Sequence, residues 1–129
     1  MKTFKHIVNT IAFMAIVFGC SNNSETSQEE DLTELNNLKI DIEQLIATGT
    51  CSENTDCDYI AFGSKACGGP TSYLVYSTSI NVELLKEKVV AYNEKEAMFN
   101  KKWGVFSDCM MVSPPTSVAC VSGKCSAIY

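Results

Sequence analysis

The stretch that decides the fold is NVELLKEKVVAYNEKEAMFNKKWG, residues 81–104. Glu96 is the one polar interruption in its stripe of apolar side chains at helical spacing, which comprises Val82, Leu85, Val89, Tyr92, Phe99 and Trp103. This spacing is typical of an amphipathic helix. Asn81 is a favourable N-cap residue, and Gly104 is suited to ending the helix. The stretch therefore predicts a long helix with one face in a core.

A second amphipathic helix is predicted over Asp31 to Ala47, ahead of the first stretch. Its apolar stripe comprises Leu32, Leu35, Leu38, Ile42, Leu45 and Ile46. Ser27 with Glu30 fits a capping box at its start, and Gly49 fits its end. A core-facing helix is favoured over a partner-binding one.

Strand signals lie between and after the two helices. Cys57 to Phe62 has the branched and aromatic character of a strand, whereas Tyr73 to Tyr76 fits either a short helical turn or an edge strand. Val105 and Phe106 fit the start of a strand that reaches Cys109, and Pro114-Pro115 prevents regular pairing beyond it.

A closing β-hairpin is predicted at the end of the chain. Ser117 to Val121 and Lys124 to Ile128 flank a tight turn at Ser122-Gly123. The predicted fold class is α+β, with two amphipathic helices packed on a small antiparallel sheet in a single disulfide-rich domain over residues 31–129.

The first 20 residues have the layout of a secretory signal. Lys2 and Lys5 precede an apolar run from Ile7 to Phe18, which is shorter than the roughly 20 residues of a membrane-spanning helix. The run ends in Val17-Phe18-Gly19-Cys20, which resembles the lipobox of bacterial lipoproteins. Val17 and Gly19 match that motif, while Phe18 departs from it. The rival interpretation is an ordinary secretory peptide cut at the same place.

The lipobox resemblance implies cleavage before Cys20, a diacylglycerol thioether on its sulfur and a fatty acyl group, such as palmitate, on the new N-terminus. Residues 1–19 would then be the signal peptide and residues 20–30 an acidic flexible tether. The mature protein would be lipid-anchored in the bacterial cell envelope, with the outer membrane as the expected location. Several acyl chains hold a protein far more firmly than one.

The cysteine count supports this reading of Cys20. The chain has seven cysteines, and lipidation of one leaves an even set: Cys51, Cys57, Cys67, Cys109, Cys120 and Cys125. In an oxidising compartment the default for such a set is three disulfides. Zinc and thioredoxin-like chemistry are disfavoured because no C-x-x-C pair exists.

The sequence alone leaves the disulfide pairing open. A bridge from Cys67 to Cys109 is favoured because it pins the long helix between its flanking segments. For the terminal hairpin, one alternative joins Cys120 to Cys125 across the turn. The other ties the hairpin to the segment from Cys51 to Cys57.

The composition restricts the possible chemistry. The chain contains no arginine, and its one histidine, His6, leaves with the signal, so the mature chain carries eight lysines against fifteen acids and a net charge of −7. Without histidine there is no Ser-His or Cys-His pair and no histidine-ligated metal. A negative chain without arginine is also a poor nucleic-acid binder. No metal, cofactor or nucleic acid is expected, and a non-enzymatic function is favoured.

The most distinctive stretch of the mature chain is GSKACGGP, residues 63–70. Its glycines permit φ > 0 and its proline fixes the exit, so a candidate binding loop is assigned to Ser64, Lys65, Gly68, Gly69, Pro70 and Tyr73. The plainer interpretation is that Gly-Gly-Pro only turns the chain beside a bridge.

Three functions from different classes follow. The leading hypothesis is a monomeric, envelope-anchored binding or inhibitory module with an envelope or extracellular protein partner. The second is a structural or stress-related lipoprotein without a ligand site. The third is a hydrolase that uses the carboxylates of Asp56, Asp58 or Asp108, which requires two of them in one cleft.

Overall fold

The computed structural model describes residues 26–129, so the predicted signal peptide, Cys20 and most of the tether lie outside the described residues. The fold is α+β, as predicted. Its elements in chain order are α1 (Gln28–Ala47), a short 3₁₀ helix (Asn54–Asp56), β1 (Cys57–Phe62), β2 (Ser72–Ser77), α2 (Val82–Trp103), β3 (Ser117–Val121) and β4 (Lys124–Ile128).

Helix α2 begins and ends at the residues that its capping signals indicate, whereas α1 begins at its capping box and ends at Ala47 with Thr48, not Gly49, as the C-cap. The Ser27 N–H donates to Glu30 Oε2 at 2.7 Å and the Glu30 N–H donates to Ser27 Oγ at 3.2 Å, which confirms the capping box. Helix α1 therefore starts at Gln28, three residues before the predicted start. Asn81 caps α2 by accepting from the Leu84 N–H at 3.0 Å, and Gly104 ends it with a φ of 61°.

The two helices pack side by side in antiparallel directions. Three ion pairs link the two helices at successive positions: Lys102–Asp31, Lys95–Glu34 and Lys88–Asp41. The first of them joins the end of α2 to the start of α1. The beginning of α1 therefore lies beside the end of α2. Within residues 26–129, no helix is both long and apolar enough to cross a membrane.

The small sheet is in fact two two-stranded antiparallel sheets, β1–β2 and β3–β4. Residues 72–77 form a strand, which settles the alternative left open for Tyr73 to Tyr76. The terminal hairpin has the predicted bounds, and Ser122 and Gly123 have φ values of 51° and 78°, as a tight two-residue hairpin turn requires.

The predicted strand from Val105 to Cys109 is wrong. Residues 105–115 form no helix or strand and run without a turn or a bend. The physical reason is that this segment lies against the loop after β1, which offers it no strand edge to pair with.

The hydrophobic core lies between the helices and the β1–β2 sheet. Its buried residues are Leu35, Ile42, Phe62, Tyr76, Leu85, Val89 and Tyr92. Phe62 stacks on Tyr92 with ring centroids 4.3 Å apart. The stripe of α1 enters the core only from Leu35 onward, because Leu32 is exposed. No side chain of the β3–β4 hairpin belongs to this core.

Three disulfides complete the fold: Cys51–Cys120, Cys57–Cys125 and Cys67–Cys109. The predicted bridge from Cys67 to Cys109 is confirmed. The hairpin is tied to the segment from Cys51 to Cys57, so the Cys120–Cys125 alternative is wrong. Cys120 and Cys125 do lie opposite each other in the β ladder, but each bridges outward to that segment. Three disulfides indicate an oxidising, extracytoplasmic compartment.

Candidate binding surface

The loop after β1, residues 63–71, is fastened to a polar stripe of α2 formed by Asn93, Glu96 and Asn100. The Gly63 N–H donates to Asn93 Oδ1 at 2.6 Å and the Ser64 N–H donates to Glu96 Oε2 at 2.5 Å. Asn100 Nδ2 donates to the Ser64 carbonyl at 2.6 Å. Glu96, the polar interruption of the apolar pattern, therefore holds this loop on the helix.

Gly63 allows the loop to approach the helix closely. Its φ is +82°, and a Cβ at this position would lie 1.8 Å from Thr71 Oγ1 and 2.8 Å from Glu96 Oε2. No side chain fits there without moving its neighbours. This glycine therefore has a packing role.

Lys65, a predicted contact residue, is turned inward. Its ammonium donates to Asp108 Oδ1 at 2.7 Å and to the Met110 carbonyl at 2.7 Å. Only 11% of the Lys65 side chain is exposed. Through these bonds Lys65 holds the segment after α2 in place.

Gly68 and Gly69 form the exposed tip of the loop. Both have positive φ, at 94° and 82°, and no atom lies within 4 Å of where their Cβ atoms would be. The turn is closed by the Gly68 N–H donating to the Lys65 carbonyl and the Lys65 N–H donating to the Gly69 carbonyl, each at 2.9 Å.

The remaining candidates lie apart from this tip. Ser64 is half-buried, and both of its main-chain polar groups bond to α2. Pro70 is half-buried where the loop leads back into β2. Tyr73 lies on β2, where its ring meets the edge of Tyr59 at a centroid distance of 5.8 Å.

The segment after α2 carries the two most exposed large hydrophobic side chains of the described chain, Phe106 at 98% and Met111 at 93%. Met110, in the same segment, is 73% exposed. The Cys67–Cys109 bridge joins this segment to the loop tip. We define the bridged surface as residues 63–71 and 105–112 together with this disulfide. The sequence signal for it is the apolar run Met110, Met111 and Val112, which stands next to Pro114-Pro115, where strand pairing is blocked.

The segment is also held at both of its ends. The Val105 N–H donates to the Asn100 carbonyl at 3.0 Å, and Pro115 is buried. With the disulfide and the Lys65 bonds in the middle, the exposed side chains are carried on a backbone fixed at several points.

The start of the described chain lies close to the bridged surface. Lys102 Nζ donates to Thr26 Oγ1 at 2.9 Å, and Asp31 Oδ2 accepts from Lys102 Nζ at 2.7 Å and from Trp103 Nε1 at 3.0 Å. The hydrogen bond from Lys102 is the main cause that lowers the pKa of Asp31 to about 2. The chain thus enters the domain beside the helix end from which the bridged surface begins.

Each carboxylate considered for catalysis is held by a hydrogen bond or an ion pair with another group of the domain. Asp56 accepts from the N–H groups of Ser52 and Glu53 at 2.8 and 3.0 Å, and these bonds lower its pKa. Asp58 accepts from the Tyr76 hydroxyl at 3.2 Å. Burial, with Asp58 nearby, raises the pKa of Tyr76. Asp108 pairs with Lys65, as described above.

Two of the disulfides are neighbours. The sulfurs of Cys51, Cys57 and Cys125 lie within 4.8 Å of one another. Cysteine binds a metal as a thiolate, and a sulfur in a disulfide is not a thiolate. In the bridged state this cluster is therefore a structural attachment of the hairpin.

No protein-family model, curated protein or solved structure matches this chain. The chemistry of the bridged surface and the cysteine framework are therefore the basis for the function proposed below.

Proposed function

We propose that this chain is a bacterial envelope lipoprotein, anchored through Cys20, whose domain is a binding module that acts through the bridged surface. The observation that carries the proposal is the exposure of Phe106, Met110 and Met111 on a segment that is fixed at several points. An isolated exposed apolar residue needs no explanation, but three large ones within residues 106–111 exceed the scattered exposure that is normal for a surface and point to an interaction site. Burying such side chains against a partner is favourable in proportion to the apolar area removed from water.

The way the segment is held favours binding. A loop that is already fixed loses little conformational freedom on association, so more of the contact energy remains as affinity. The Cys67–Cys109 bridge and the Lys65 ammonium provide this fixation. Lys65 therefore contributes to the proposed site as a support, and Gly68 and Gly69 contribute the neighbouring exposed tip.

The cysteine framework supports the anchor. All six cysteines of the described residues are bridged in pairs. Cys20 is the seventh and is left without an intramolecular partner. Lipidation of its sulfur accounts for the odd cysteine, and an extracytoplasmic domain with three disulfides agrees with export to the envelope.

A retention experiment tests the proposed module. The mature chain from Ser21 onward is produced without lipid in an oxidising compartment and immobilised. Detergent-free membrane vesicles and detergent-solubilised envelope proteins are then passed over it separately. The control is Val90→Ser, because Val90 is an apolar residue of α2 that is 54% exposed away from the bridged surface.

We expect the wild-type chain and the control to retain material from at least one of the two fractions. The double variant Phe106→Ser with Met111→Ser is expected to lose most of that retention. Retention of neither fraction by the wild-type chain, or equal retention by the double variant, would contradict the proposed module.

A further inference from the structure

We infer that the apolar part of the bridged surface, Phe106 with Met110 and Met111, contacts the bilayer in which the Cys20 anchor is embedded. This inference rests on the proposed lipid anchor and names the bilayer as the partner of that surface. It would give the domain one preferred orientation on the membrane.

The chain between the anchor and the domain is short. Five residues separate Cys20 from Thr26. Even fully extended, the chain from Cys20 to Thr26 spans about 20 Å. Thr26 accepts a hydrogen bond from Lys102. The end of α2 is therefore held within a short distance of the lipid headgroups.

The exposed apolar side chains follow directly after this end of α2. Phe106 comes four residues after Lys102, a separation of at most about 14 Å along the chain. The Met110 carbonyl accepts from Lys65, whose neighbour Ser64 is held on α2 by Asn100, and Met111 follows Met110. The apolar part and the point of attachment thus belong to the same end of the domain.

The space beneath the domain favours the bilayer over a protein. The gap at Thr26 is at most about 20 Å, which is narrower than the diameter of a small folded domain, about 30 Å. A globular partner therefore does not fit beneath Thr26, whereas the bilayer lies within reach of this end of the domain.

Lys101 is the lysine next to the apolar side chains that can meet an anionic headgroup layer. It lies in the last turn of α2 beside Lys102, whose charge is already paired with Asp31. Within the described residues, Lys101 makes no ion pair, and it is exposed. Asp108, the acid within the segment, is already paired with Lys65. Lysines beside apolar side chains are the usual composition of an interfacial contact.

The contact need not be strong by itself. An anchored domain meets the bilayer at a high effective concentration, so a few partly buried side chains are sufficient to bias its orientation. This accounts for a contact surface with three large apolar residues.

Tryptophan quenching tests the inference on the full lipidated protein. Trp103 is the one tryptophan of the chain, so a Trp103→Phe parent carries none. Phe106→Trp or Val121→Trp is then added to this parent. Val121 is a matched control because it is 57% exposed and pairs with Lys124, whose ammonium lies at the opposite end of α1. Each protein is reconstituted into phosphatidylethanolamine–phosphatidylglycerol vesicles with or without brominated acyl chains.

We expect brominated lipid to reduce the emission of the Phe106→Trp protein at least twofold and to leave the Val121→Trp protein nearly unchanged. If vesicle flotation shows that the protein is anchored, equal quenching of both proteins, or quenching of neither, would overturn the inference. If neither protein is quenched, cross-linking of the Phe106→Trp protein to itself or to another protein would identify a second copy or a protein partner as the occupant instead. Failure to float would refute the anchor, and with it the inference that depends on it.

A stability check keeps this test decisive. Trp103 donates to Asp31, so Trp103→Phe removes a hydrogen bond. Thermal unfolding of the parent shows whether the fold survives. If the fold does not survive, Phe106→Trp or Val121→Trp is introduced into the wild-type chain instead. The quenching of Trp103 alone is then subtracted, and the remaining quenching is expected to be strong for Phe106→Trp and nearly absent for Val121→Trp.

Discussion

The two disulfides that hold the β3–β4 hairpin are expected to act as a pair, so that removing the second costs more than removing the first. The bridges close loops with sequence separations of 69 and 68 residues. Taken alone, a bridge of this span stabilises by about 4.4 kcal/mol in the chain-entropy description. The two are not independent, however, because Cys51 lies near Cys57 in sequence and Cys120 lies near Cys125.

Once one of these bridges is formed, the other closes only a small ring. That ring runs from Cys51 to Cys57 and from Cys120 to Cys125, about 13 residues in total, which corresponds to about 3 kcal/mol. Removing either pair by Cys→Ala substitution should therefore lower the free energy of unfolding by about 3 kcal/mol. With Cys67–Cys109 intact, the last of the two bridges closes a ring of about 29 residues, which corresponds to about 3.6 kcal/mol. Removing both should therefore lower the free energy of unfolding by about 6.5 kcal/mol, more than twice the loss for one pair.

Urea unfolding of the unlipidated mature chain and its variants under non-reducing conditions measures these differences. The hairpin contributes no residue to the hydrophobic core, so its loss of attachment should appear first in the amide exchange of residues 117–128. A four-alanine variant that loses no more than twice the single-pair value would refute the shared-ring reasoning. So would unchanged exchange protection of the hairpin in that variant.

Three further predictions concern single side chains. Lys124→Met should destabilise the domain by about 1 kcal/mol in urea unfolding, because the Lys124 ammonium donates at 2.9 Å to the carbonyls of Ala47 and Gly49 at the end of α1. An unchanged unfolding midpoint would contradict this. Gly49→Ala should cost about 1–3 kcal/mol in the same assay, since the new Cβ would lie 2.9 Å from Ile80 Cγ2, and no loss would show that the neighbours yield freely. The pKa of Asp31 is depressed to about 2 in the fold, so its stabilisation is present above pH 4 and is lost as the pH falls from about 4 to 2. Asp31→Asn should lower stability at pH 7 and flatten the decline between pH 4 and 2, whereas an unchanged pH profile would refute the assignment.

The parts of the fold that local patterns specify are predictable from the sequence. Helix α2 has agreeing signals in its apolar spacing, its Asn81 cap and its Gly104 stop, and the structure forms it with those bounds. The terminal hairpin is likewise fixed by Ser122-Gly123 between two alternating strands. In both cases neighbouring residues along the chain carry the information.

The disulfide pairing shows where local reasoning is insufficient. The hairpin register correctly places Cys120 opposite Cys125, which made a bridge between them a reasonable alternative. The actual partners, Cys51 and Cys57, come from a segment more than sixty residues earlier. Only the packing of the hairpin against that segment decides between the pairings.

The candidate site was predictable only in part. The loop from Gly63 to Pro70 was recognised from its glycines, but the inward direction of Lys65 depends on Asp108 and Met110, more than forty residues away. The residues around Phe106 favour a strand. The proline pair indicates only that pairing stops further along, and nothing next to Phe106 indicates that its segment lies against a loop and leaves the side chain exposed.

Intact mass spectrometry of the membrane-extracted protein, alkylated before and after reduction, tests the central claim most directly. A lipid-anchored domain with three disulfides predicts a chain that begins at Cys20 and carries the mass of a diacylglycerol and a fatty acyl group. It also predicts no alkylated thiol before reduction and six after it. A chain that lacks the lipid mass, or any thiol that reacts before reduction, would contradict the account.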